Sequence, residues 1–255
     1  MARRLSIVLI DLGSTLFYFD GDWKAALKKS AYVLADALQY QGFDLDKELF
    51  ISVFEKHREK RFGERKRTLR ESSMQSVVVE TLEKLGHQIA GRSEGLLSAI
   101  EKMYEVTETI WQVETDAAET LAVLRSQGFR IGLVSNASDD GNVQRLLHKT
   151  ELRSYFDVVI TSDAVGYRKP TPLIFMAALS HFQAQPDEAV MIGDRLDADI
   201  MGANQLGIRS IWITRRVSPG ESPEQISSTA RPDATVATLA ELPALLQDMA
   251  DSAEQ

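Results

Sequence analysis

The chain has 255 residues, 44% of them apolar and 26% charged, the balance of a globular protein long enough to bury a sizeable core. A net charge of −8 disfavours polyanions and argues against nucleic acid as the main partner, and the absence of cysteine excludes disulfides and thiolate metal sites. No run approaches the ~18 apolar residues of a membrane span, so no membrane partner is expected, and with no cysteine to mark an oxidising compartment a cytoplasmic location is expected.

The first predicted element is Ile7–Ile10, an apolar run that reads as a strand because Asp11 interrupts it too early for a targeting segment. Residues 22 to 112 then carry apolar positions at helical spacing: Leu27, Ala31, Leu34 and Leu38; Leu49, Phe50, Val53 and Phe54; Val77, Val78, Leu82 and Leu85; Leu97, Ile100, Tyr104 and Trp111. No alternating strand pattern interrupts them, which predicts an insertion of about four helices with hinges at FDGD (19–22) and VETDA (113–117). Trp23 and Trp111, beside those hinges, read as packing residues. The tract KHREKRFGERKRTLR at 56–70, with eight Lys and Arg against two Glu, reads as a solvated helix face and loop. His57, His87, His148 and His181 show no metal-ligand spacing.

After Gly128 short branched runs alternate with helical ones: Ile131–Val134, Val158–Ile160, Ala189–Ile192 and Ile208–Ile213, with Ala234–Val236 as a candidate sixth strand. Together with Ile7–Ile10 this predicts an α/β fold, a Rossmann-like parallel sheet flanked by helices, with an inserted all-helical domain. The expected boundaries are 1–18 and 115–255 for the sheet domain and 19–114 for the insertion.

Open α/β sheets bind ligands at the carboxyl ends of their strands. There the sequence places Asp11, then Ser135 and Asn136 in LVSNAS, then Gly193 and Asp194 in MIGDRLDADIMGA. Lys169, in VGYRKPTPLIF, precedes a helix that Thr171 can cap and Pro172 can start. Asp197 reads as a helix cap and Asp194 as the metal candidate. Such oxygens suit Mg²⁺, which binds through one or two carboxylates together with a substrate phosphate. A carboxylate there can act as nucleophile, with Lys169 and Ser135 holding the phosphoryl oxygens.

These four segments, in this order, resemble the four motifs of the haloacid dehalogenase superfamily: DLGST, the strand ending in Ser135, Lys169 followed by Pro170, and GDRLDAD. The helical insertion after the first motif resembles the phosphoglycolate-phosphatase-like branch with a helical cap. The resemblance implies that Asp11 is nucleophile and metal ligand, with the Gly13 carbonyl and Asp194 as further ligands. Asp199 joins the metal set from behind or orients Lys169, and Ser135, Asn136 and Lys169 bind the phosphoryl group. It implies Mg²⁺ as cofactor and a small phosphorylated metabolite as substrate, turned over through a phospho-Asp11 intermediate.

Gly13 departs from that pattern. The phosphatases carry a second aspartate there, which protonates the leaving alkoxide and then activates water. Acid-base catalysis typically contributes ~10²- to 10⁴-fold, so a slow enzyme is expected. The alternatives are hydrolysis of carbon–halogen or carbon–phosphorus bonds, or an impaired relative that binds a phosphorylated ligand or a protein partner.

Overall fold

A computed structural model of the chain describes residues 5–89, 93–217 and 230–252. Six parallel strands form its central sheet: β1 (Ile7–Ile10), β4 (Arg130–Ser135), β5 (Val158–Thr161), β6 (Ala189–Gly193), β7 (Arg209–Ile213) and β8 (Ala234–Val236). Their spatial order is β5-β4-β1-β6-β7-β8, so the chain builds outward from β1 in one direction and then returns to build the other half. The carboxyl ends of β1, β4 and β6 meet at that reversal, the usual place for a ligand crevice.

Period-two alternation within β1 sends its side chains to two cores. Val8 and Ile10 pack with Leu121 and Leu124 of α5 (Ala117–Ser126), Val143 and Leu147 of α6 (Asp140–Lys149), and Leu242 and Leu246 of the C-terminal helix Leu242–Ser252. Ile7 and Leu9 face Ile174, Phe175 and Leu179 of α8 (Pro172–Phe182) and Ala203 of α9 (Met201–Leu206). A four-residue helix, α7 (Ser162–Val165), follows β5 directly.

Between β1 and β4 lies a separate helical layer: α1 (Trp23–Tyr40), α2 (Lys47–Thr68), α3 (Met74–Lys84) and α4 (Ser93–Glu108). Asp22, Asp46 and Ser73 cap the first three, accepting from Ala25, Leu49 and Ser76 N–H at 3.1, 2.9 and 3.0 Å. Its own core holds Leu34, Leu38, Phe50, Phe54, Val78 and Leu82. Where Leu97 was expected to face inward it is 46% exposed, and Leu96, 1% exposed, takes that place. No described helix is long and apolar enough to cross a membrane.

One element pair lies outside the helical pattern expected for residues 22 to 112. β2 (Phe17–Phe19) and β3 (Trp111–Val113) form an antiparallel ribbon where the chain enters and leaves the helical layer, pairing Phe17 with Val113 and Phe19 with Trp111. Trp111 therefore lies on a strand and not in helical register with Tyr104. Three residues per strand are too few to show a period.

Candidate active site

Asp11 follows β1 directly and is 7% exposed; its N–H continues the ladder to Ile192 O at 2.9 Å. The chain then curls: Leu16 and Phe17 N–H both return to Leu12 O at 2.9 Å, and Ser14 adopts a left-handed φ of 58°. Gly13 has an ordinary φ, and a Cβ there would stand 3.6 Å from Trp111 Cη2, a normal contact. Neither the backbone nor space at this first carbon demands glycine.

Lys169 is 3% exposed, and its Nζ lies 2.6 Å from Asp11 Oδ1, 2.6 Å from Val134 O and 2.7 Å from Asp199 Oδ1. Burial works against its charge, but Asp11 and Asp199 outweigh burial and raise its pKa. Asn136 fixes the lysine's backbone: its Oδ1 accepts from Lys169 N–H at 2.8 Å and its Nδ2 donates to Lys169 O at 3.1 Å. The Asn136 amide is thus committed to holding Lys169 in place. Thr171 precedes α8 as expected, with Pro172 in its first turn, but its hydroxyl donates to Arg168 O at 2.8 Å and caps nothing.

Asp199 belongs to a π-helical turn, Leu196–Ile200, and its Oδ2 accepts from Arg195 N–H at 3.0 Å. A Cβ on Gly193 would lie 2.3 Å from Asp199 Cγ, so only glycine lets this carboxylate reach the strand end. Asp197 does not cap the helix: both its oxygens pair with the Arg195 guanidinium, at 2.6 and 2.7 Å. Asp194 lies one residue past β6, and Trp212 Nε1 holds its carbonyl at 2.9 Å.

Asp11, Asp194 and Asp199 each offer an oxygen within 4.8 Å of the others. Asp194 Oδ1 is buried without a hydrogen-bond partner among the described residues. Burial first, then repulsion from Asp11, pushes Asp194 well above the usual carboxylate range; Asp199 is raised by burial too, although Lys169 restrains it. Three carboxylates against one ammonium, one of them with an orphaned oxygen, fit a hard divalent cation.

The cluster floors a cavity of about 890 Å³ whose lining includes Gly13, Ser135, Asn136 and Lys169 and, from the helical layer, Trp23, Arg58, Phe62 and Arg65. Every predicted site residue therefore borders one space. Two sequence readings change here. Trp23 and Trp111 both line the cavity, each edge-on to Phe19, so their rings pack together and also wall the site. The basic tract is divided: Lys56 and Lys60 are exposed and border no part of the cavity, Lys66 and Arg67 are exposed but line it, and Arg58 and Arg65 line it while partly withdrawn from solvent.

Residues 5–207 match the family described as haloacid dehalogenase-like hydrolase, and the chain belongs to that family of hydrolases. It is similar to glyceraldehyde 3-phosphate phosphatases of Pyrococcus furiosus (38% identical over 38% of this chain and 40% of the relative) and Methanothermobacter thermautotrophicus (28% over 85% and 89%). The chain thus spans under half of the first relative and most of the second. Among solved structures it resembles a phosphatase of this family from Thermococcus onnurineus, with a TM-score of 0.63 and 26% identity over 94% of this chain and 97% of that one.

Proposed function

We propose that the protein is a Mg²⁺-dependent phosphatase or phosphotransferase acting on a small phosphorylated metabolite in the cytoplasm through a phospho-Asp11 intermediate, with the helical layer as its cap. The observation that carries this reading is the Lys169 ammonium bridging Asp11 and Asp199 beside the orphaned oxygen of Asp194. The names of similar phosphatases support the substrate class.

Asp11, Asp194 and the Gly13 carbonyl would hold the metal, and Asp199 would support it while orienting Lys169. When bound, Mg²⁺ supplies positive charge to the phosphoryl oxygens. Lys169 engages Asp11 Oδ1, which leaves Oδ2 to attack phosphorus as the ester P–O bond breaks. Ser135, which ends β4 and borders the cavity, would donate to a phosphoryl oxygen. Water then attacks phospho-Asp11, releasing inorganic phosphate and restoring the carboxylate. With glycine at position 13, the leaving oxygen takes its proton from water.

Phosphate release from a panel of phosphomonoesters with Mg²⁺ tests this reading. Metal-dependent release that Asp11→Asn abolishes supports it; release indifferent to metal or to that variant overturns it.

A further inference from the structure

Arg58 is the one basic side chain of tract 56–70 whose burial the phosphatase reading leaves unexplained. It lies on α2, and its side chain is 12% exposed. Among the described residues its nearest carboxylate is Glu55, 4.0 Å away and itself 42% exposed, a separation at the outer limit of an ion pair. Burying a guanidinium with so little compensation is costly, and desolvation lowers its pKa. The Phe54 ring, 5.4 Å from the guanidinium carbon, returns only a small part of that cost.

The surroundings make the imbalance specific. Arg58, Phe62 and Arg65 fall on one stripe of α2, spaced by four and three residues, and all three border the cavity. Arg65 is served by Glu71, which also neutralises Arg168. Asp139, the acidic residue lining that side, has its pKa raised by burial and spends an oxygen on Asn142 N–H at 2.6 Å. The upper wall therefore carries a cationic surplus: Lys66 and Arg67 line it from exposed positions, and Arg58 is the member of it drawn in from solvent without a close carboxylate. The floor is taken by the carboxylate cluster, where the phosphoryl group of the proposed substrate would sit, and a cavity of about 890 Å³ is far larger than one phosphoryl group needs. Between the two charged ends lie Trp23, Leu27, Met74, Met103 and Trp111, a largely apolar middle.

We propose that Arg58, with Arg65 beside it, binds a second anionic group on the substrate, so that the natural substrate is a phosphomonoester bearing a carboxylate or a second phosphate at the end remote from the bond that is cleaved. This rests on the phosphatase reading for the near end only. A planar guanidinium pairs with either anion in bidentate geometry, and the cavity supplies the low dielectric that makes such a pair strong.

Three aryl esters test it: phenyl phosphate, 4-(carboxymethyl)phenyl phosphate and 1,4-phenylene bisphosphate, assayed with Mg²⁺ on wild type, Arg58→Met and Arg58→Lys. Methionine keeps an apolar stem against Phe54. The expected result is a wild-type kcat/KM at least tenfold higher for one doubly anionic ester than for phenyl phosphate. That ratio should fall at least tenfold in Arg58→Met, mainly through KM, and recover partly in Arg58→Lys. Which of the two esters is preferred identifies the anion. In parallel, calorimetry compares wild-type binding of phenylphosphonate and its 4-carboxymethyl and bisphosphonate analogues, which need no turnover. Tighter binding of a doubly anionic analogue with no hydrolysis of any ester leaves the anion site standing and removes the phosphatase reading. Hydrolysis of all three esters without preference, or a preference that survives Arg58→Met, overturns the anion site and leaves the phosphatase reading intact.

Discussion

The Trp111 ring lies against Gly13, with Cη2 3.6 Å from the point a Cβ on that glycine would occupy. The position that supplies a proton in related phosphatases is thus bordered by an indole edge. Aryl and acyl phosphates, whose leaving groups need no proton, should outpace alkyl phosphates steeply in the wild type, with a burst if water attacks phospho-Asp11 slowly. Gly13→Asp should fold and raise alkyl phosphate turnover by up to ~10²- to 10⁴-fold. Equal wild-type rates on aryl and alkyl esters would mean that another group supplies the proton. Asp20 and Asp22 are poor candidates, since both are exposed, neither borders the cavity and Asp22 caps α1.

The inner strands β1, β4, β6 and β7 were legible because they are buried almost throughout and read as apolar runs, whereas the edge strands β5 and β8 are only partly buried; β1 and β8 have the predicted bounds. Asp11, Lys169 and Asp194 were legible because each follows or faces the end of such a run. The part that the Asn136 amide plays was hidden: it turns to the Lys169 backbone, a contact across 33 residues that no local spacing encodes. Arg58 was hidden by its neighbours. A tract of eight cations looks solvated as a whole, and only the spacing of Arg58, Phe62 and Arg65 separates the inward stripe from the exposed one. The β2–β3 ribbon was invisible because its strands pair across the entire helical layer.

Asp11→Asn and Lys169→Met should fail in different ways. On the proposed mechanism the amide removes the nucleophile while Lys169 keeps Asp199 as partner, so turnover should drop at least ~10³-fold with the unfolding midpoint nearly unchanged. Methionine instead leaves Asp11 and Asp199 buried without their cation, a loss of about 3–5 kcal/mol in denaturant unfolding. Equal stability of the two variants would contradict the central place given to Lys169.

Glu71 ties the helical layer to the sheet. Its side chain is 1% exposed and meets Arg65, Arg168 and the Ser162 hydroxyl, while Glu71 N–H reaches Gly166 O at 3.0 Å and Arg168 N–H reaches Leu69 O at 2.9 Å. Arg168 adjoins Lys169, so this contact links the helical layer to the lysine of the carboxylate cluster. Glu71→Ala should cost about 3 kcal/mol by stranding two guanidiniums. Hydrogen exchange at the Arg168 amide should accelerate selectively; exchange unchanged there would show that the clamp is held elsewhere.

Metal binding should grow stronger with pH across an unusual window. Without a cation, burial and the neighbouring Asp11 charge raise Asp194 to about 8, above the unfolded carboxylate value of about 3.9. A raised carboxyl pKa contributes stability that is fully present below the unfolded value and lost as pH rises through the folded one. Metal-free protein should therefore lose stability between about pH 4 and pH 8 from this group, while Mg²⁺, which needs the ionised carboxylate, restores it. The gain in Tm on adding Mg²⁺ to chelator-treated protein should be small at pH 5.5 and several degrees larger at pH 8. Asp194→Asn should flatten that pH dependence and weaken Mg²⁺ binding. An identical gain at both pH values in the wild type would show that the cation, if bound, sits away from Asp194.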